Sequence, residues 1–140
     1  MNATTDLGRR RKDIAVRLMD DIAARDREAT SKAFGDDVSW WAPQSAVELG
    51  VPRPVRGRDA VLDLVRMRSY QVGTTRWRNE HVLYDEDSGI VAIQTNLEAT
   101  TNAGLPYDNP YCLLYRFDGD VVVEVWEHAD TAYAYSRYQA

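Results

Sequence analysis

Phe117-Asp118-Gly119-Asp120-Val121-Val122-Val123-Glu124-Val125-Trp126-Glu127-His128-Ala129-Asp130-Thr131 is the stretch on which the reading of the fold turns. Asp118-Gly119 is a tight-turn signal, and the valine-rich run after it predicts a buried β-strand ending in ionisable residues. Strand side chains alternate between faces, so Glu124, Trp126, His128 and Asp130 share one face and Val121, Val123, Val125 and Glu127 the other. An indole, an imidazole and a carboxylate in line at a strand end can build an acid/base site. They can equally form a salt bridge at the rim of a sheet.

Upstream, the pattern separates helices from strands. Ile14, Leu18 and Ile22, with Ala15, Met19 and Ala23 beside them, recur at helical spacing. A short helix is expected over 27–34, then a strand over 38–42 that Pro43 must stop. The next segment, through Gly50, Pro52, Pro54 and Gly57, reads as a loop, and 59–70 returns to helical spacing. Beyond Gly73 come four strands, over 74–84, 90–100, 109–117 and 121–128, with Asp87-Ser88-Gly89 and Asp118-Gly119 as hairpin connections. Helices followed by an antiparallel meander is an α+β plan, with the helices on one face of a curved sheet.

Size and charge narrow the function. At 140 residues the chain reads as one domain, spanning 1–140, with 1–12 a flexible or helical N-terminal extension. Such a chain buries roughly 70% of its unfolded surface. Seventeen basic against 22 acidic residues give a net charge of −5, the wrong sign for a nucleic-acid binder. Arg9-Arg10-Arg11-Lys12, among Asp6, Asp13, Asp20 and Asp21, reads as a solvated helix start. No apolar run follows it and no segment has membrane-spanning length, so neither a secretory signal nor a membrane partner is expected. The single cysteine, Cys112, fits a reducing, cytoplasmic setting and reads as a small buried hydrophobe. There is no Gly-x-Ser-x-Gly elbow, no phosphate loop and no zinc-ligand spacing, so neither metal nor cofactor is expected.

The element order, the entry Val55-Arg56-Gly57-Arg58-Asp59-Ala60-Val61 to the third helix and the strand Trp126-Glu127-His128-Ala129-Asp130 resemble the nuclear transport factor 2-like superfamily, in particular its SnoaL-like branch. The resemblance runs from about Asp13 to the end. It implies a cone with a pocket between curved sheet and helices, and a homodimer. Function is not implied by the fold, which carries isomerases, dehydratases, cyclases, epoxide hydrolases and binding modules. Steroid isomerases of the fold place a carboxylate just before the proline after the first strand, where this chain has Trp41-Ala42-Pro43; their other two catalytic positions are Arg17-Leu18 and Leu113 here. A limonene-type epoxide hydrolase relative would need an arginine and an aspartate where Gln94 and Asn96 stand; only Asp130 matches. SnoaL-type cyclases carry Trp-Glu-x-x-Asp on the last strand, which Trp126 to Asp130 reproduces.

The resemblance therefore implies Asp130 as general acid/base, with His128 beside it. Walled by Trp126, Tyr111 and Trp40, the carboxyl would be desolvated and its pKa raised. Its alternative is the N-cap of a terminal helix over 131–138, since aspartate is a favoured cap. Asn109 and Tyr111 could hydrogen-bond a carbonyl or enolate oxygen, and Met67 and Tyr70 could close the pocket mouth. Gln94, Asn96 and Glu98 alternate with Ile93, Thr95 and Leu97. Alone that pattern is a polar outer face over an apolar core, whereas the family alignment turns Gln94 and Asn96 inward. His81 reads as a satisfied structural histidine. The expected function is cofactor-independent proton transfer on a hydrophobic carbonyl compound, such as a polyketide- or terpenoid-like metabolite. A non-catalytic binding or dimerisation module is the alternative from another class.

Overall fold

The computed structural model describes residues 3–138. The first helix, α1 (Ala3–Ala23), buries Ala15, Leu18, Met19 and Ile22, one stripe at i, i+3, i+4 and i+7. It is followed by α2 (Arg27–Ala33), capped by Asp26, whose side chain accepts from Ala29 N at 3.0 Å. Then come β1 (Phe34–Trp41), a 3-10 turn (Gln44–Leu49), β2 (Val55–Arg56) and α3 (Arg58–Leu64). Four long strands, β3 (Arg76–Asp85), β4 (Ile90–Thr100), β5 (Pro106–Asp118) and β6 (Val121–Ala129), lead into α4 (Thr131–Tyr138).

The strands form one curved six-stranded sheet in the order β2-β1-β6-β5-β4-β3. Only β1 and β6 run parallel; every other neighbouring pair is antiparallel. This is the α+β plan expected, with the helices on the concave face. Strict alternation supplies that face: Val91, Ile93, Thr95 and Leu97 of β4 are each at most 1% exposed. On β5, Tyr107, Asn109, Tyr111, Leu113, Tyr115 and Phe117 all point inward.

On β6 the alternation breaks once. Arg116 faces Glu124 but Phe117 faces Val122, so Val123 is an extra residue in the ladder, a β-bulge. Val122 and Val125 consequently both reach the core, each 0% exposed. Beyond the bulge Val125, Glu127 and Ala129 look inward, and Glu124, Trp126 and His128 look out. The parity read from the sequence holds from Glu124 onward, but the cavity lies on the opposite face from the one expected.

Other boundaries shift for tertiary reasons. The third helix stops at Leu64, short of the predicted 59–70, because Met67 takes a left-handed φ of 57° and gives its carbonyl to Arg25. The N-terminal basic cluster is part of α1 and is not merely solvated. Arg10 pairs with Asp120 at 2.9 Å, and Arg11 donates to Gly119 O at 3.0 Å and Tyr84 Oη at 2.9 Å. Gly8 lies so close to Tyr84 that a Cβ there would sit 2.8 Å from the ring. Cys112 is a free, half-buried thiol on the outer sheet face.

Candidate active site

Between sheet and helices lies a cavity of about 390 Å³, open at one end and walled mainly by apolar groups. Met19 and Ile22 of α1 contribute one wall, Leu97, Leu113 and Tyr115 the sheet floor, and Ala134, Tyr135 and Tyr138 of α4 the other wall. The loop after α3 also lines it, with Met67, Arg68 and Tyr70. Trp77 of β3 packs edge to face on Tyr111, with ring centroids 5.3 Å apart. This is the apolar enclosure in which a polar group acquires unusual chemistry.

That polar group is Glu127. Placed by β6 on the inward face between Val125 and Ala129, it is a carboxylate in an otherwise apolar stripe. Trp40 Nε1 donates to its Oε1 at 2.9 Å, and Trp40 is itself fixed edge-on against Phe34 and Tyr115. No ion pair reaches Glu127 among the described residues. It lines the cavity. Burial therefore raises its pKa above the ordinary carboxylate value, and the Trp40 hydrogen bond offsets only part of that rise. The effect reaches the neighbouring phenol, since burial and then the Glu127 charge push the Tyr115 hydroxyl well upward.

At the other end of the cavity is a chain of phenols. Tyr107 and Tyr111 hydroxyls lie 2.8 Å apart, Tyr138 is 3.3 Å from Tyr107, and Tyr138 also hydrogen-bonds Tyr70. Burial, with mutual repulsion of their phenolates, drives Tyr70 and Tyr111 well above the ordinary tyrosine value. These hydroxyls stay neutral and act as hydrogen-bond donors and acceptors at any physiological pH.

Of the residues singled out from the sequence, Trp40, Met67, Tyr70 and Tyr111 line this cavity. Asn109 is fully buried behind it and donates to Tyr107 Oη at 2.8 Å and Asp130 O at 3.1 Å. Asp130 is exposed and caps α4: its Oδ1 accepts from Tyr133 N at 3.0 Å and its carbonyl from Ala134 N at 3.1 Å. His128 and Trp126 lie on the outer face, opposite Cys112 and Leu114. So do Gln94, exposed and 2.7 Å from His81 Nδ1, and Asn96, which donates to Asp108 at 2.8 Å. The binary pattern of β4 was the correct guide there, and the family alignment was not. Glu127 is the cavity residue the sequence reading missed; the terminal helix expected over 131–138 is α4, and it lines the cavity with Ala134, Tyr135 and Tyr138. The available signal was Glu127 itself, flanked at i−2 and i+2 by Val125 and Ala129, the more apolar of the two faces.

A curved sheet clasping helices over a cavity open at one end defines the nuclear transport factor 2-like class. The chain belongs to the SnoaL-like domain family, whose model matches residues 15–125. Among solved structures it resembles a candidate SnoaL-like polyketide cyclase from Jannaschia sp. CCS1 at a TM-score of 0.81 and 14% identity, over 96% of this chain and 94% of that one. A nuclear transport factor 2-like protein from Burkholderia pseudomallei matches at a TM-score of 0.74 and 18% identity, over 100% of both chains. TerC, co-crystallised with polyporic acid, matches at 0.79 and 13%, over 94% of this chain and 99% of its own. At such identities the likeness is one of fold. No protein of curated function matches. No described helix is long and apolar enough to cross a membrane.

Proposed function

We propose that this protein is a cofactor-independent acid/base catalyst acting on an apolar, carbonyl-containing small molecule, with Glu127 as the proton carrier. The observation that carries this reading is a carboxyl without a counter-charge, hydrogen-bonded through one oxygen only, at the wall of an apolar cavity. Trp40 holds Oε1 and leaves Oε2 for the substrate. In the reaction a C–H bond next to the carbonyl breaks, its proton moves to Oε2, and the electron pair passes to the carbonyl oxygen as an enolate. The now neutral carboxyl returns the proton at the same or a conjugated carbon. A raised pKa suits both halves, because it makes the carboxylate a stronger base and keeps its conjugate acid within reach to return the proton. In this reading the Tyr115 and Tyr111 hydroxyls, which line the same cavity, donate to the enolate oxygen. On the same reading Asp130, its carboxylate on the Tyr133 amide, positions α4 and is not the proton shuttle.

The test uses 2-tetralone, an apolar bicyclic ketone, in deuterated buffer. Wild-type protein should speed deuterium entry next to the carbonyl, seen by proton NMR, and Glu127→Gln should lose about a hundredfold or more of that rate. Equal rates for the two proteins would remove Glu127 from the role. Binding of 2-tetralone with no exchange in wild type would make the cavity a binding module.

A further inference from the structure

Behind the loop that edges the cavity lies a second depression of about 500 Å³, lined by Ile22, Arg25, Arg27, Thr30, Leu62, Val65, Arg66 and Arg68. Four of its eight lining residues are arginines and none is acidic, on a chain whose net charge is −5. Three elements bring them together: the end of α1, the start of α2, and the loop after α3. Asp63 is the carboxylate that serves the set. It lies 3.1 Å from Arg27 and 3.9 Å from Arg66, while among the described residues Arg68 meets only the Asp63 carbonyl, at 3.5 Å. Arg25 is committed elsewhere. Its Nη2 donates to Met67 O at 2.8 Å and Tyr70 O at 2.6 Å, which fixes the loop between groove and cavity. Both Arg25 and Met67 adopt left-handed φ, at 59° and 57°, a conformation uncommon outside glycine.

The groove borders the cavity, since Ile22, Val65 and Arg68 line both. Guanidinium groups present planar donor forks that match carboxylate, phosphate or sulfonate oxygens. Asp63 meets Arg27 and Arg66 through one oxygen, Oδ1, which leaves their remaining guanidinium donors and those of Arg68 for a second anion. We propose that the substrate is an apolar compound bearing an oxyanion, its body in the cavity beside Glu127 and its charged end in the groove against Arg66, Arg68 and Arg27. This narrows the substrate class and rests on the cavity being the binding site. Either a carboxylate or a phosphate satisfies the chemistry.

Two fluorescent probes separate body from charge: 8-anilinonaphthalene-1-sulfonate and its neutral counterpart N-phenyl-1-naphthylamine. At low salt the wild-type protein should bind the sulfonate about tenfold tighter or more, by charge-assisted hydrogen bonds. Arg66→Gln/Arg68→Gln should abolish the preference by weakening the sulfonate alone, and Arg66→Lys/Arg68→Lys should keep most of it. Both positions are on an exposed loop, and thermal unfolding of each variant checks the fold. Titrating the sulfonate against acetate and against inorganic phosphate distinguishes the two anion types by which displaces it at lower concentration. Equal affinity for the two probes, absent sulfonate binding, or a double variant that weakens both alike would overturn the proposal. Glu127→Gln, which decides the proton-transfer reading through deuterium exchange, should keep the sulfonate preference, so the two ideas fail separately.

Discussion

Two adjacent tryptophans each donate a hydrogen bond to a glutamate of β6, one on either side of the sheet. Trp41 Nε1 reaches Glu124 on the outer face and Trp40 Nε1 reaches Glu127 on the inner, both at 2.9 Å. Glu124 also has Arg116 at 3.1 Å, and Glu127 has only the cavity. The same pairing thus gives an ordinary ion pair outside and a destabilised carboxylate inside, so environment decides the chemistry. Because folding raises the Glu127 pKa above its ordinary 4.5, the folded state holds that proton more tightly than the unfolded chain. Its contribution to stability is present at low pH and is lost as pH rises from there through the raised value. Glu127→Gln keeps the acceptor for Trp40 and removes the charge. Its melting temperature should match wild type near pH 4, exceed it increasingly as pH rises through the raised value, and keep a constant excess above it. Parallel melting curves across that range would show a carboxyl that is not strained by burial.

The last helix depends on one carboxylate. Asp130 satisfies the Tyr133 amide, and α4 then carries Tyr135 and Tyr138 over the cavity. Asp130→Ala should cost about 1 kcal/mol, a fall of about 3 °C in melting temperature for a domain of this size. Asp130→Asn keeps the cap and should leave both stability and deuterium exchange near wild type. A loss of exchange in the asparagine variant, with stability intact, would return the proton to Asp130. The strands were legible in the sequence because their period of two is uninterrupted, as on β5 from Tyr107 to Phe117. The orientation of β6 was not, because the motif Trp126 to Asp130 directed attention to its polar face, while binary patterning puts Val125, Glu127 and Ala129 inward. Bulge and loop positions escaped as well. Val123 and Met67 take their places from cross-strand register and from Arg25, which no local window contains.

Across the outer face of the sheet runs a row in register: Trp41, Trp126, Leu114, Ala92 and Leu83, one residue from each of five strands. Leu83 is 62% exposed, and the other four are half-buried. Val121, Val123 and Val125 add nothing to this surface, since Val125 is in the core and Val121 and Val123 flank Gly35. The His128, Cys112, Gln94 and His81 row runs beside the tryptophan–leucine row as a polar border. Large rings with polar edges suit an interface between copies. Sedimentation at micromolar concentration should therefore give a homodimer, twice the 15.9 kDa of the chain. Leu114→Lys, a charge in the middle of the row, should convert it to monomer. A wild-type species of single-chain mass would leave this face free.

The place of β6 in the sheet has a consequence for how the molecule comes into being. Trp40 pairs with Val125 and Leu114 with Trp126, so the strand made last in the meander lies at the centre of the finished sheet. Until it leaves the ribosome, β1 and β5 each present a bare hydrogen-bonding edge, and Glu127 is absent from the half-built pocket. The pairing of β6 with β1, strands far apart along the chain, can form only late, and contacts of that kind slow folding. The residue that makes the cavity chemically interesting arrives with the strand that closes the structure.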